Sequence, residues 1–217
     1  MTVETGNRAS AAPANPERDK DDLVRRALVE LRSTKRELAA ARARLSEPVA
    51  VVGVGCRFPG GVSGVEGLWE LLVSGGSGVS VVPGDRWRVG DVFDVDPSVA
   101  GRTYSRHGGF VEGVGEFDAG LFGVSAREAS AMDPQHRLML EVAWEALEHA
   151  GIAPDSLRGS ATGVFVGMGS SDYAQVGLVS GGLASVDAYA ATGNASNFGA
   201  NRLSYALGFE GPSVVVD

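Results

Sequence analysis

The sequence has few of the residues that build disulfide-linked or metal-held scaffolds. Among 217 residues there is one cysteine, Cys56, and there are three well-separated histidines. A single thiol excludes a disulfide framework and a cysteine-rich zinc site, and scattered histidines do not make a metal-binding motif. We therefore expect no bound metal.

Long apolar runs are missing as well. No stretch of 18 or more apolar residues occurs, which argues against a membrane-spanning helix. The first ten residues lack the apolar segment of a secretion signal. These absences predict a cytoplasmic protein without a membrane partner.

The charge is unevenly distributed along the chain. Residues 1–46 hold 10 basic and 7 acidic residues, a net charge of +3, whereas residues 47–217 hold 9 and 20, a net charge of −11. An acidic body is unsuited to binding phosphate backbones. We therefore expect no nucleic-acid partner, and we expect the two parts to have different roles.

The N-terminal part divides into a tail and a helix. Residues 1–20 are polar and include Pro13 and Pro16, which is typical of a disordered tail. Residues 21–46 contain neither glycine nor proline and are rich in helix formers, which predicts one helix. Its apolar residues follow the 4-3 spacing of a coiled coil, with two charged residues in the same series: Val24, Leu28, Leu31, Lys35, Leu38, Arg42 and Leu45.

A single helix of this length is marginally stable in water and needs a partner. Two interpretations stay open. The helix could pack on its own domain, or it could form a coil with a second copy or another protein. Its position before Pro48 favours the coil.

The pattern of residues 47–217 predicts an α/β domain. Three apolar runs, Val49–Val54, Gly163–Gly167 and Ser213–Asp217, are interpreted as buried strands of a mostly parallel sheet. Short helices are predicted at Gly67–Val73 and within residues 185–207. The clearest helix begins after Asp133 and runs to about Ala150, because Asp133 can cap it, Pro134 suits its first turn and Gly151 can end it.

Several short motifs have a structural and a functional interpretation. Gly53 and Gly55 follow a strand pattern, but Phe58 replaces the third glycine of a dinucleotide loop, so such a loop is disfavoured. Cys56 is expected to be a buried thiol and not a nucleophile. We expect structural roles for the histidines and a solvated loop instead of a calcium site for the acidic residues near 91–96. The segment Gly169–Tyr173 either lines a cleft or forms an ordinary turn.

Taken in order, three segments resemble a known family. They are EPVAVVGVGCRFPGG at 47–61, RHGGFVEGVGEFDAGLFGVSAREASAMDPQHRLMLEVAWEALEHAGI at 106–152 and ANRLSYALGFEGPSVVVD at 200–217. They resemble the beta-ketoacyl synthase domain of modular type I polyketide synthases. The helix at 21–46 resembles the N-terminal docking helix that precedes such domains.

The resemblance implies a thiolase-like fold, layered α/β/α/β/α, of which 47–217 would be the N-terminal half. It implies a homodimer that performs decarboxylative Claisen condensation on acyl groups carried by the phosphopantetheine of an acyl carrier protein, with no cofactor bound directly. The family's nucleophilic cysteine, catalytic histidines and lysine correspond to positions beyond Asp217, and Cys56 matches a structural position. No catalytic, cofactor-binding or metal-binding residue is therefore assigned, and the chain alone is expected to be inactive.

The resemblance also implies that the helix forms a parallel two-stranded coil and receives the C-terminal tail of an upstream synthase polypeptide. The residues expected in the coil are Val24, Leu28, Leu31, Leu38 and Leu45, with Arg25, Arg32 and Arg36 available to acidic side chains of the tail. Two alternatives remain: an interaction module whose useful part is the coil, and a dinucleotide-binding domain.

Overall fold

The computed structural model describes residues 16–169, 171–182 and 186–217. The chain divides into two compact units, Met1–Ala50 and Val51–Asp217. The first 15 residues of the predicted tail lie outside the described residues. The boundary between the units lies close to the predicted start of the α/β domain at residue 47.

The first unit contains one long helix, α1, at Pro16–Ser46. It begins five residues earlier than predicted, so the expected disordered tail is wrong for residues 16–20. Proline lacks a backbone N–H, and the first turn of a helix needs no such donor, so Pro16 is compatible with the first turn.

The second unit combines six helices with four short strands in its described part. The helices are α2 at Val65–Val73, α3 at Ala126–Ala131, α4 at Pro134–His149, α5 at Tyr173–Gly181, α6 at Ala188–Asn194 and α7 at Asn197–Leu207. The strands are β1 at Val79–Val81, β2 at His107–Gly109, β3 at Val164–Gly167 and β4 at Ser213–Val216. This is the predicted α/β class.

Helix α4 has the predicted boundaries. The Asp133 carboxylate accepts a hydrogen bond from the Gln135 backbone N–H at 2.7 Å, which caps the first turn, and Pro134 follows as expected. The helix ends at His149, and Gly151, two residues further on, has a φ of +68° that is readily adopted only by glycine.

The strands form two separate pairs. Strands β3 and β4 are parallel, with Val164 opposite Ser213, whereas β1 and β2 form an antiparallel pair. The prediction of parallel strands is confirmed for β3 and β4. One face of each strand is exposed, with Phe165 of β3 70% and Val216 of β4 61% exposed, so the expectation of two-sided burial is wrong in the described chain.

The core lies where β3 and helices α4 and α7 meet. Its buried side chains are Met132, Leu140, Val164, Ala200, Leu203 and Leu207. These apolar faces come together because α4 and α7 carry apolar residues at helical spacing.

The predicted strand at Val49–Val54 is absent. The segment is irregular, and Val51 and Val52 are 82% and 66% exposed. Its last residues lie against α4 instead: a Cβ atom on Gly53 would lie 2.1 Å from the Ala146 carbonyl oxygen, and the Val54 N–H donates to His149 Nδ1 at 3.2 Å. A strand needs a neighbouring strand for its hydrogen bonds, and here a helix lies beside the segment.

Candidate functional site

The predicted coil residues all lie on α1. At about 100° of rotation per residue, the series from Val24 to Leu45 lies on a stripe about 100° wide. We call this stripe the α1 seam, comprising Val24, Leu28, Leu31, Lys35, Leu38, Arg42 and Leu45. Its five apolar side chains are between 48% and 89% exposed, so α1 alone does not cover them.

The three predicted docking arginines share one flank of the seam. Arg25, Arg32 and Arg36 lie at about 80° to 120° around the helix from Val24. All three are exposed, and none forms an ion pair with the described side chains. The flank is therefore a row of positive charge beside an apolar stripe.

A second group of functional interest is a set of polar contacts at the start of α4. Asp133 is 3% exposed and accepts hydrogen bonds from the Gln135 N–H and the Ser171 hydroxyl. Its own N–H donates to the Gly193 carbonyl oxygen at 2.8 Å. One residue thus joins α4, α6 and the segment after β3.

The same contacts extend to α3 and α7. The Asn194 amide donates to the Ala131 carbonyl oxygen at 3.0 Å, and the Arg202 guanidinium pairs with Glu128 at 2.6 Å. The side chains of this ion pair are 13% and 24% exposed, so it is largely removed from water. We call Glu128, Asp133, Ser171, Asn194 and Arg202 the polar junction.

His136 lies beside the polar junction and is 1% exposed. Neither ring nitrogen has a hydrogen-bond partner among the described residues. Burial lowers the pKa of His136, and the nearby positive charge of Arg202 lowers it further, while the Asp133 carboxylate opposes both effects. Burial therefore disfavours the charged form of the imidazole.

A cavity of about 740 Å³ opens beside the polar junction, between α3, α5 and α6. Tyr173 lines it and donates a hydrogen bond to the Ser130 carbonyl oxygen at 3.0 Å. Of the two interpretations left open for Gly169–Tyr173, the position of Tyr173 in the cavity lining favours the cleft, whereas Ser170 lies outside the described residues. Asn194 and Ala190 line the cavity from α6.

Cys56 and the histidines form no catalytic arrangement in the described chain. Cys56 is a buried free thiol. Its neighbour Arg57 binds Glu145 of α4 through both terminal nitrogens, and this hydrogen-bonded pairing raises the pKa of the guanidinium. His149 accepts a hydrogen bond from Val54, and His107 lies in β2.

The carboxylates of Asp94 and Asp96 in the acidic loop accept hydrogen bonds from groups two residues further along the chain. Asp94 accepts from the Asp96 N–H at 3.0 Å, and Asp96 accepts from the Ser98 N–H and hydroxyl, which lowers the pKa of the Asp96 carboxyl. Within the described ranges, no group of three or more potential metal ligands occurs, nor does any helix combine the length and apolarity needed to cross a membrane.

Sequence reasoning did not identify the polar junction as a unit. Its members are spread from residue 128 to residue 202, so no local spacing connects them. The available signal was indirect, because Glu128, Asp133 and Arg202 all fall within the segments that resemble the ketosynthase family.

Comparison with known proteins assigns residues 46–217 to a protein family. The profile of the family described as "Beta-ketoacyl synthase, N-terminal domain" matches residues 46–217. The match covers more than half of the chain, and the chain belongs to this family.

Curated relatives place the chain with modular polyketide synthases. It is 53% identical over 173 residues to a phenolphthiocerol/phthiocerol polyketide synthase of Mycobacterium tuberculosis, covering 80% of this chain and 9% of the relative. It is 49% identical over 197 residues to phenolphthiocerol synthesis polyketide synthase type I Pks15/1 of Mycobacterium marinum, covering 89% and 9%. The chain thus spans about a tenth of the length of these relatives.

Solved structures agree with this assignment. The oxazolomycin ketosynthase domain OzmH KS7 of Streptomyces albus JA3453 matches with a TM-score of 0.69 and 35% identity, over 77% of this chain and 28% of that chain. The ketosynthase from module 6 of the Bacillus subtilis 168 bacillaene synthase matches with a TM-score of 0.65 and 28% identity, over 77% and 26%. The predicted thiolase-like ketosynthase fold is confirmed, whereas the coiled coil stays a prediction.

Proposed function

We propose that residues 46–217 form the N-terminal half of a beta-ketoacyl synthase domain in a modular polyketide synthase. The observation that carries this proposal is the agreement of the family match over 46–217 with the ketosynthase fold, at a TM-score of 0.69. The exposed apolar side chains of the second unit, including Val51, Phe165 and Val216, support it because a larger domain would cover them.

The reaction proposed for the complete domain is decarboxylative condensation. A cysteine thiolate attacks the thioester of a carrier-bound acyl chain, and the carrier's phosphopantetheine thiol leaves. A malonyl-type extender then loses carbon dioxide, and its carbanion attacks the acyl-cysteine carbonyl. The new carbon–carbon bond forms as the cysteine thiolate leaves.

The residues of this chain are proposed to form part of the substrate-binding tunnel and to supply no reacting group. The cavity beside Tyr173 is lined mainly by apolar surface and is proposed to form part of an acyl tunnel, and the polar junction ties together α3 and α6, two of the helices that line it. Cys56 is not proposed as the nucleophile, because it is buried and lacks a histidine partner within the described residues. The chain alone is proposed to be inactive, and its setting to be the cytoplasm.

A chimera tests the enzymatic proposal. Residues 46–217 replace the matching segment of a mycobacterial ketosynthase domain, and condensation is followed by mass spectrometry of carrier-bound products. The chimera is expected to form the β-ketoacyl product. A soluble, folded chimera without condensation activity contradicts the proposal if the unmodified parent domain is active in parallel.

We also propose that α1 dimerises in parallel through the α1 seam and receives an acidic C-terminal tail of an upstream synthase polypeptide. The exposed apolar seam supports the dimer, and the row formed by Arg25, Arg32 and Arg36 supports an acidic partner, since charge complementarity adds selectivity and faster association. Arg32→Glu is expected to leave the dimer intact and weaken tail binding.

Sedimentation of the 217-residue chain tests the dimer. Leu31→Asp is expected to make the chain monomeric, because two carboxylates would face each other in an apolar seam. Val29→Asp is the matched control, since Val29 is 62% exposed but lies about 140° around the helix from Val24. If wild type and Leu31→Asp sediment identically, the seam does not mediate dimerisation.

A further inference from the structure

Two positions of the α1 seam carry positive charge in place of apolar side chains. Lys35 and Arg42 are seven residues apart, about 10 Å along the helix, and lie in line with Leu28. Both are exposed, and neither forms an ion pair with any side chain that the structure describes.

The acidic residues of this stretch lie elsewhere on the helix. Between Val24 and Leu45 the only acidic residues are Glu30 and Glu37. They lie about 220° to 240° around the helix from Val24, on the face opposite the seam, and Glu37 is hydrogen-bonded to Ser33 at 3.0 Å. They cannot neutralise Lys35 or Arg42 within one helix.

Parallel pairing of two copies of α1 therefore brings positively charged side chains close to each other in the seam. In a parallel coil each residue faces its own copy, so two lysines meet in one layer and two arginines meet in another. The nearby Arg25 and Arg32 add to the positive potential. Five of the seven layers are apolar and stabilise the dimer, whereas repulsion between like charges destabilises it at the other two.

We propose that Lys35 and Arg42 couple dimerisation of α1 to binding of an acidic amphipathic helix. Long lysine and arginine side chains extend to the rim of a seam while their stems stay in the apolar layer. Carboxylates of an incoming helix would meet the paired charges there and relieve the repulsion. The proposal rests on the proposed docking function and adds that dimer and partner stabilise each other by the same factor.

The coupling predicts opposite responses to salt. Screening weakens the repulsion between the seam charges, so the dimer without a partner is expected to become tighter as ionic strength rises. The same screening weakens attraction to an acidic helix, so partner binding is expected to become weaker. An ordinary apolar coil would not show this pair of responses.

The experiment uses the full 217-residue chain and two synthetic probes. One is a three-heptad acidic peptide with the repeat EIAALEK, and the control is its charge-reversed counterpart, KIAALKE. Sedimentation gives the dimerisation constant with and without each peptide. The acidic peptide is expected to tighten dimerisation by about 5- to 150-fold, the usual range of coupling between sites, and the basic peptide to have no effect.

A double variant tests the named residues. Lys35→Leu with Arg42→Leu is expected to dimerise about tenfold or more tightly without peptide, because apolar side chains often replace buried charges with a gain in stability, and to lose the response to the peptide and to salt. Arg26→Leu with Arg44→Leu is the matched control, since both arginines lie about 200° around the helix from Val24, on the face opposite the seam.

The outcomes separate the two proposals. If the double variant stays monomeric, the seam does not pair and the docking proposal fails. If the double variant dimerises, the seam pairs and the dimer proposal stands. The coupling is nevertheless refuted if the acidic peptide leaves wild-type dimerisation unchanged. It is also refuted if the peptide dissociates the dimer by taking the place of a second copy. Tighter dimerisation that depends on Lys35 and Arg42 supports the proposal.

Discussion

The close backbone approach beside the polar junction gives the sharpest test of the structure. Gly193 lies in α6 beside the end of α3. A Cβ atom added there would be 2.4 Å from the Ala131 carbonyl oxygen, 2.9 Å from its carbonyl carbon and 3.2 Å from the Met132 Cα. All three are backbone atoms, so no side chain can rotate away to relieve the contact.

Two effects of a Gly193→Ala substitution oppose each other. Alanine in a helix interior is favoured over glycine by about 1 kcal/mol, which would stabilise α6. To reach an ordinary contact distance, however, α3 and α6 must separate by about 1 Å. That separation stretches the Asp133–Gly193 and Asn194–Ala131 hydrogen bonds, and each buried group left without a partner costs about 1–3 kcal/mol. The net expectation is a loss of about 2–4 kcal/mol.

Urea unfolding of the 217-residue chain, followed by tryptophan fluorescence and far-ultraviolet circular dichroism, measures the change in free energy of unfolding. Gly177→Ala in α5 is the matched control, because among the described residues no heavy atom outside its chain neighbours and its own helix backbone lies within 4 Å of a Cβ built there. This variant is expected to be neutral or stabilising by up to about 1 kcal/mol. If Gly193→Ala is as stable as wild type, the close packing of α3 against α6 is wrong.

Three further sets of measurements probe the same unit. Arg202→Met and Glu128→Leu are each expected to cost about 1–3 kcal/mol, because each leaves a largely buried partner charge unpaired. The double variant is expected to lose less than the sum, so additive losses in urea unfolding would contradict the ion pair. The pKa of His136 is lowered from 6.5 in the folded chain, so as pH falls the unfolded chain binds a proton before the folded chain does. The free energy of unfolding is therefore unaffected by His136 above pH 6.5 and decreases as pH falls from 6.5 toward the folded-state pKa. His136→Gln should flatten this slope below about pH 6.5, and an unchanged slope would assign it to another group. Cys56 should gain no acyl adduct from a thioester substrate by intact-mass measurement until the chain is unfolded, so a stoichiometric adduct on the folded chain would show that the thiol is reactive.

The elements that the sequence predicts well carry their signals locally. Helix α4 is bounded by Asp133, Pro134 and Gly151, and each acts on the backbone within one turn. Strands β3 and β4 are short apolar runs, and β3 begins and ends beside glycine. The signals that bound α4 are complete within one turn, whereas β3 and β4 also depend on each other, since Val164 pairs with Ser213.

The incorrect predictions concern features that depend on neighbours in space. Val49–Val54 has the composition of a buried strand, yet no strand lies beside it in the described chain, and Gly53 and Gly55 pack it on α4 instead. The extent of burial of His136 also depends on neighbours in space: the sequence predicts a structural role for this histidine but does not show that its side chain is 1% exposed.

The Asp133 carboxylate makes one hydrogen bond that the sequence predicts and one that it does not. One carboxylate oxygen caps α4 at Gln135, two residues away, and this contact is predictable from the sequence. The other oxygen accepts from Ser171, 38 residues away, and ties the segment that leads into Tyr173 to the start of α4. Removing the carboxylate would therefore uncap a helix and release one wall of the cavity together. The residue that caps α4 therefore also holds Ser171, two residues before Tyr173 in the cavity lining, so the start of α4 and one wall of the cavity are linked through a single carboxylate.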